Sequence, residues 1–213
     1  MIGNCTRART GPLLAIVLLV LVGPAVYADI DLEWRLPESH PEPTFFVGET
    51  VNIGLYAVSD DETSQSISAM DVLLDWDPVY LSLFGNDDTG AHDWLSSTFP
   101  DDAMNDTWLD GDGYYRAFAH FGLPAEATPA GLLVTTMQFT ALAETPETIV
   151  TVPLYPFPGY DGRVTKTAVY DGEIPGYDVT GELDSIAIEI IPEPGTFSLV
   201  ALAMLGLFRR RTR

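Results

Sequence analysis

The side chains best suited to chemistry are concentrated between positions 86 and 115, in "NDDTGAHDWLSSTFPDDAMNDTWLDGDGYY". Eight aspartates lie there: Asp87, Asp88, Asp93, Asp101, Asp102, Asp106, Asp110 and Asp112. Trp94, Trp108, Tyr114 and Tyr115 stand between them. Calcium takes roughly six to eight oxygen ligands, and carboxylate-rich loops supply them. Asp106, Asp110 and Asp112 are the candidate Ca²⁺ ligands. Trp94, Trp108 and Tyr114 are candidates for stacking on sugar rings, because an aromatic face is also an apolar one. The other reading is a solvated insertion with a Gly-Asp-Gly turn, its aromatics folded onto the body. Asp110-Gly111-Asp112-Gly113 has neither the spacing nor the terminal glutamate of an EF-hand loop.

Catalytic patterns are missing from the sequence. His40, His92 and His120 fall in no metal-ligand spacing, and His120 in "RAFAHFG" reads as a strand residue. There is no nucleophile elbow, phosphate-binding loop or dinucleotide fingerprint. Cys5 is the one cysteine, and it lies near the N-terminus. With thirty-one acidic residues in the chain, a pair of carboxylates arises by chance and is no evidence for glycoside hydrolysis. The expectation is a protein that is not an enzyme and has no certain cofactor.

These residues must be positioned by what surrounds them, and the two ends differ from the middle. Residues 1–28 hold Arg7 and Arg9, then the apolar run "LLAIVLLVLV", then small residues before Asp29. This is the order of a secretory signal peptide, cut by signal peptidase between Ala28 and Asp29. Cys5 precedes the apolar run, so lipidation at a cleavage site is not expected. The exported chain then holds no cysteine and must be stabilised without disulfides. At the other end, Pro192, Glu193 and Pro194 precede the apolar "TFSLVALAMLGLF" and the cluster Arg209, Arg210, Arg211 and Arg213. The apolar run is short for a span, and flanking residues or local thinning let it cross. The arginines hold that end in the cytoplasm.

Pro-Glu-Pro, an apolar helix and a terminal arginine cluster, in a chain with a signal peptide, resemble the PEP-CTERM sorting signal. The resemblance covers residues 192–213. It implies a bacterium that makes exopolysaccharide and processing by exosortase, a membrane enzyme that recognises Pro192, Glu193 and Pro194. The protein would be anchored in the inner membrane through its C-terminal helix, then reach the cell surface or extracellular matrix.

Between the ends, residues 29–194 carry all thirty-one acidic residues and four basic ones, a formal charge of −27. Such a surface excludes nucleic acid and anionic lipid as partners. Period-2 patterns dominate. Val51, Ile53, Leu55 and Ala57 share one face, as do Met70, Val72, Leu74 and Trp76. Leu133, Met137, Phe139 and Ala141 are expected to face inward, and "TIVTVPLY", "VTKTAVY" and "SIAIEII" read as further strands. Short strands without intervening helices predict an all-β fold, two packed antiparallel sheets in one domain, residues 29–191. A closed barrel is the alternative.

Val47-Gly48-Glu49-Thr50-Val51, Trp76-Asp77-Pro78 with Leu81, and Gly131-Leu132-Leu133 with Phe139 resemble phrases of cohesin domains. That resemblance implies a jelly-roll sandwich of the kind shared with carbohydrate-binding modules. Two functions are expected, the first as the main reading and the second as its alternative. One is a structural component of the exopolysaccharide layer. The other is a module that binds carbohydrate or a surface protein.

Overall fold

The computed structural model describes residues 29–99, 111–156, 164–193 and 195. The expected signal and transmembrane helices lie outside these residues. Among the described residues no helix is long and apolar enough to cross a membrane. Thirteen strands are described: β1 (Ile30–Arg35), β2 (Thr44–Phe46), β3 (Thr50–Ser59), β4 (Gln65–Trp76), β5 (Leu81–Asp87), β6 (Ser96–Thr98), β7 (Asp112–Phe118), β8 (Ala125–Ala127), β9 (Leu132–Ala141), β10 (Thr145–Thr151), β11 (Ala168–Asp171), β12 (Thr180–Leu183) and β13 (Ser185–Ile191).

They form two sheets. One has the order β12-β1-β3-β9-β5; the other runs β2-β13-β10-β4-β7-β6, with β8 and β11 also paired to β4. Pairing is antiparallel except for two parallel contacts, β1 with β12 and β2 with β13. The sheets pack face to face, and alternate residues of each strand enter one core. Val51, Ile53, Leu55 and Ala57 from β3 are fully buried there, beside Met70, Val72, Leu74 and Trp76 from β4. The Trp76 ring meets the edge of Phe139 at 5.5 Å between centroids.

Strand β9 departs from its expected phase. Leu133 is only half-buried, whereas Val134 and Thr135 are buried with Met137 and Phe139. The register explains this: Leu55 pairs with Thr135 and Tyr56 with Leu133, so Val134 is the extra residue of a β-bulge. A bulge resets the alternation, and a two-residue period read across it goes out of phase.

Strand β4 fixes the long axis. At its Trp76 end, Trp76 N–H donates to Gly111 O (2.9 Å) and Leu81 N–H to Asp77 O (3.0 Å). Leu81 pairs with Ala141, whose carbonyl accepts from Gly48 N–H, and Val47 N–H donates to Ile191 O. The exit of β13 therefore sits at this end. At the other end of β4, Gln65 pairs with Ala127 and Ala69 with Phe118. Ile30 pairs with Ser59, whose N–H donates to Thr128 O, so the start of β1 belongs to this second end. At about 3.3 Å per residue, Ser68 and Trp76 stand roughly 25 Å apart.

Candidate functional site

Two regions hold the expected site residues, and a third holds residues that the sequence did not point to. The first is the C-terminal exit. Glu189, Ile190 and Ile191 pair with Thr44, Phe45 and Phe46, and the pairing stops at Pro192. A proline has no N–H to donate, so it ends a ladder. Pro192 is half-buried and Glu193 is exposed. Pro194, Arg209, Arg210 and Arg211 lie outside the described residues, as does Ala28; Asp29 is exposed at the start of β1.

The second region is the aspartate-rich stretch. Asp106, Asp110 and Trp108 lie outside the described residues. Asp112 opens β7 directly opposite Asp75 of β4 and is 6% exposed. Burial, with the Asp75 carboxylate second, pushes the Asp112 carboxyl up to about 6. Asp75 is raised as well, chiefly by burial, against a hydrogen bond from the Trp76 backbone and with Asp77 adding to the rise. Two carboxylates face each other here in a poorly solvated place, where the charged form is disfavoured. Among the described residues no three His, Cys, Asp or Glu side chains group as metal ligands.

Asp88 is taken up in the fold. Its oxygens accept from Ser97 Oγ (2.5 Å), Asn86 Nδ2 (2.9 Å) and Tyr115 Oη (3.2 Å). Tyr115 is fully buried, and burial raises its phenol well above the ordinary range.

The aromatics expected to stack on sugar are placed differently. Trp94 is buried, and its Nε1–H donates to Val134 O at 3.2 Å. Tyr114 is buried with Leu73 and Val164 in a small second cluster. Leu73 and Tyr114 lie on the outer face of the eight-stranded sheet, and Val164, between β10 and β11, covers them. Neither ring offers a free face, because Trp94 packs into the main core and Tyr114 into the second cluster. This corrects the stacking expectation for Trp94 and Tyr114.

The third region was not anticipated. Beyond β7, Leu123 N–H donates to His120 O at 2.9 Å, closing a turn with Gly122 at φ 76°. A positive φ at the third position of such a turn is type II geometry, which favours glycine. The turn places Phe121 at its outer corner, fully exposed. His120 is thus a turn residue rather than a strand one, and its Nε2 lies 3.8 Å from Asp93 Oδ2. Phe118 and Leu95 are also exposed, at 40% and 62%. With Pro124 and Pro175 they line a groove of about 660 Å³. Its other wall is the β11–β12 turn, held by Asp171 Oδ1, which accepts from Glu173 and Ile174 N–H at 2.6 Å each. The one advance signal was "FGLP", a glycine turn among apolar residues.

Thirty-seven chains among solved structures have a similar fold. One is the cohesin module from a Clostridium perfringens family 33 glycoside hydrolase, 11% identical, with a TM-score of 0.53 over 78% of this chain and 100% of that one. Another is a type I cohesin–dockerin complex from Clostridium thermocellum, 12% identical, TM-score 0.51, covering 77% and 99%. At these identities the likeness defines the fold: a cohesin-like β-sandwich. The PEP-CTERM protein-sorting motif matches residues 191–212, so the chain carries that signal from the last residue of β13 onward. No curated protein matches the chain significantly.

Proposed function

We propose that the protein is an exosortase-sorted display module that binds another protein at the cell surface. One observation carries this reading: the first residues of the sorting motif and the apolar groove lie at opposite ends of the sandwich. Strand β13 delivers the motif at the Trp76 end of β4, and the groove opens at the Gln65 end. A chain held by its C-terminal segment would present the groove away from the membrane. An exposed apolar groove is costly in water unless it has an occupant. The cohesin-like fold is compatible with such use: the C. thermocellum relative is a cohesin in complex with a dockerin. A non-catalytic filler of the exopolysaccharide layer is the alternative, and it leaves the groove unexplained. Ca²⁺ bound by Asp106, Asp110 and Asp112 is a separate proposal, supported by the unfavourable Asp75–Asp112 juxtaposition that a cation would relieve.

The test is to recover the protein from intact cells of its host and identify its termini and companions by mass spectrometry. The expected chain begins at Asp29, lacks the Arg209–Arg213 cluster and comes with a protein companion at a fixed ratio. Glu193→Ala should leave the uncut chain in the membrane. An intact arginine tail on wild-type surface protein, or polysaccharide as the sole companion, contradicts the reading.

A further inference from the structure

The groove also indicates what kind of segment would occupy it, an inference that rests on the binding-module reading. Its walls are apolar: Leu95, Phe118, Phe121, Pro124 and Pro175. Phe121 is held out by a hydrogen-bonded turn rather than by a loose loop. An aromatic fixed in its exposed position loses little conformational entropy on contact, and such residues act as anchors at interfaces.

Among the described residues, the most exposed charges at the rim are carboxylates. Glu173 on the groove wall is exposed, and the Asp93 side chain, beside His120, is almost completely exposed. The nearest guanidinium, Arg116, lies over the Phe118 ring at 5.7 Å and is ion-paired to Asp71 at 2.5 Å. Among the described residues, Arg35 and Lys166 are likewise paired, to Glu33 and Asp178. An incoming cation therefore meets a field set by the −27 body. A field of this kind attracts cationic segments and rejects anionic ones.

We propose that the groove binds a short segment of a partner protein in which apolar side chains are flanked by lysine or arginine. The apolar side chains would lie against Phe118 and Phe121. The flanking cations would face Glu173 and Asp93.

The test uses the full chain in nanodiscs of zwitterionic lipid and a fluorescein-labelled Lys-Leu-Leu-Lys-Leu-Lys peptide, read by anisotropy against empty nanodiscs. Two further peptides carry Glu for each Lys, or Ser for each Leu. Wild type should bind the first peptide best and lose affinity as NaCl rises. Phe121→Ser should weaken binding about tenfold or more, the scale of a truncated interface anchor. Glu173→Lys should weaken it about threefold or more, and less so at high salt. Both residues are exposed, so the variants should melt with wild type. Wild type that fails to bind the basic peptide, or binds the Glu peptide equally well, overturns the proposal. So does unchanged binding in F121S. These failures would remove the groove assignment and leave the display-module reading standing. That reading falls on its own evidence, the absence of a protein companion on intact cells.

Discussion

The Asp75–Asp112 pair makes stability depend on pH in an unusual direction. Asp112 has a folded-state pKa of about 6 against an ordinary 3.8, raised by burial first and by Asp75 second. Near pH 5 the folded chain therefore holds a proton that the unfolded chain has released. Stability from this group is greatest below the unfolded pKa. It falls as pH rises through about 6 and stays low above that. At about 1.4 kcal/mol per unit, the difference is at most about 3 kcal/mol, and water reaching the pair reduces it to about 1–2 kcal/mol. Asp75, raised too, acts in the same sense. Asp61, Asp87 and Asp178 are lowered and act oppositely: their contribution is present above the unfolded carboxylate range and is lost as pH falls through their folded values. The optimum should thus lie near pH 4, with stability falling from there to about pH 6. Asp112→Asn keeps the shape and removes the charge. At pH 7.5 it should stabilise the sandwich by about 1–2 kcal/mol, and it should flatten the slope between pH 4 and 6. Urea unfolding of residues 29–195 at a series of pH values measures both. A destabilised asparagine variant at pH 7.5, or an unchanged slope, would refute the reasoning.

Other outcomes follow from the same geometry. Gly111 has φ 97°, and a Cβ there would lie 2.5 Å from Trp76 O and 2.7 Å from Pro78 Cδ, so Gly111→Ala should cost about 2–4 kcal/mol in urea unfolding. Trp94→Ala should cost about 3 kcal/mol or more, because it empties a buried site and leaves Val134 O without its donor, whereas Phe121→Ser should stay within about 0.5 kcal/mol of wild type. The Ca²⁺ proposal requires a rise in Tm in millimolar CaCl₂ that NaCl of equal ionic strength does not give and that D112N abolishes; equal shifts would end it.

What was legible in the sequence depended on how local its cause was. The inward faces of β3 and β4 could be read because Val51, Ile53, Leu55 and Ala57, and Met70, Val72, Leu74 and Trp76, recur every second residue and all enter the core, although Leu73 is buried on the opposite face as well. The phase of β9 could not, since the bulge at Val134 is set by the partner strand and leaves no glycine or proline to mark it. The sorting motif was legible because its order and composition are the signal themselves. Trp94 and Tyr114 were misleading. Acidic neighbours suggested exposure, yet each ring packs on residues distant in sequence, Trp94 against Val134 and Tyr114 against Leu73 and Val164. The groove was hidden for a related reason. Phe118, Phe121 and Leu95 look like core residues one at a time, and only the closed turn at Gly122 and the approach of the β11–β12 turn leave them outside.

The central claim is that one end of the sandwich is sorted and the other receives a partner. Photo-cross-linking on intact host cells tests it most directly. A photoreactive amino acid replaces either Leu123, beside the groove, or Val79, at the end from which β13 exits; both side chains are well exposed. The account predicts one protein adduct from position 123, none of that mass from position 79, and loss of the adduct in cells without exosortase. The same adduct from both positions, or only polysaccharide adducts from position 123, would contradict it.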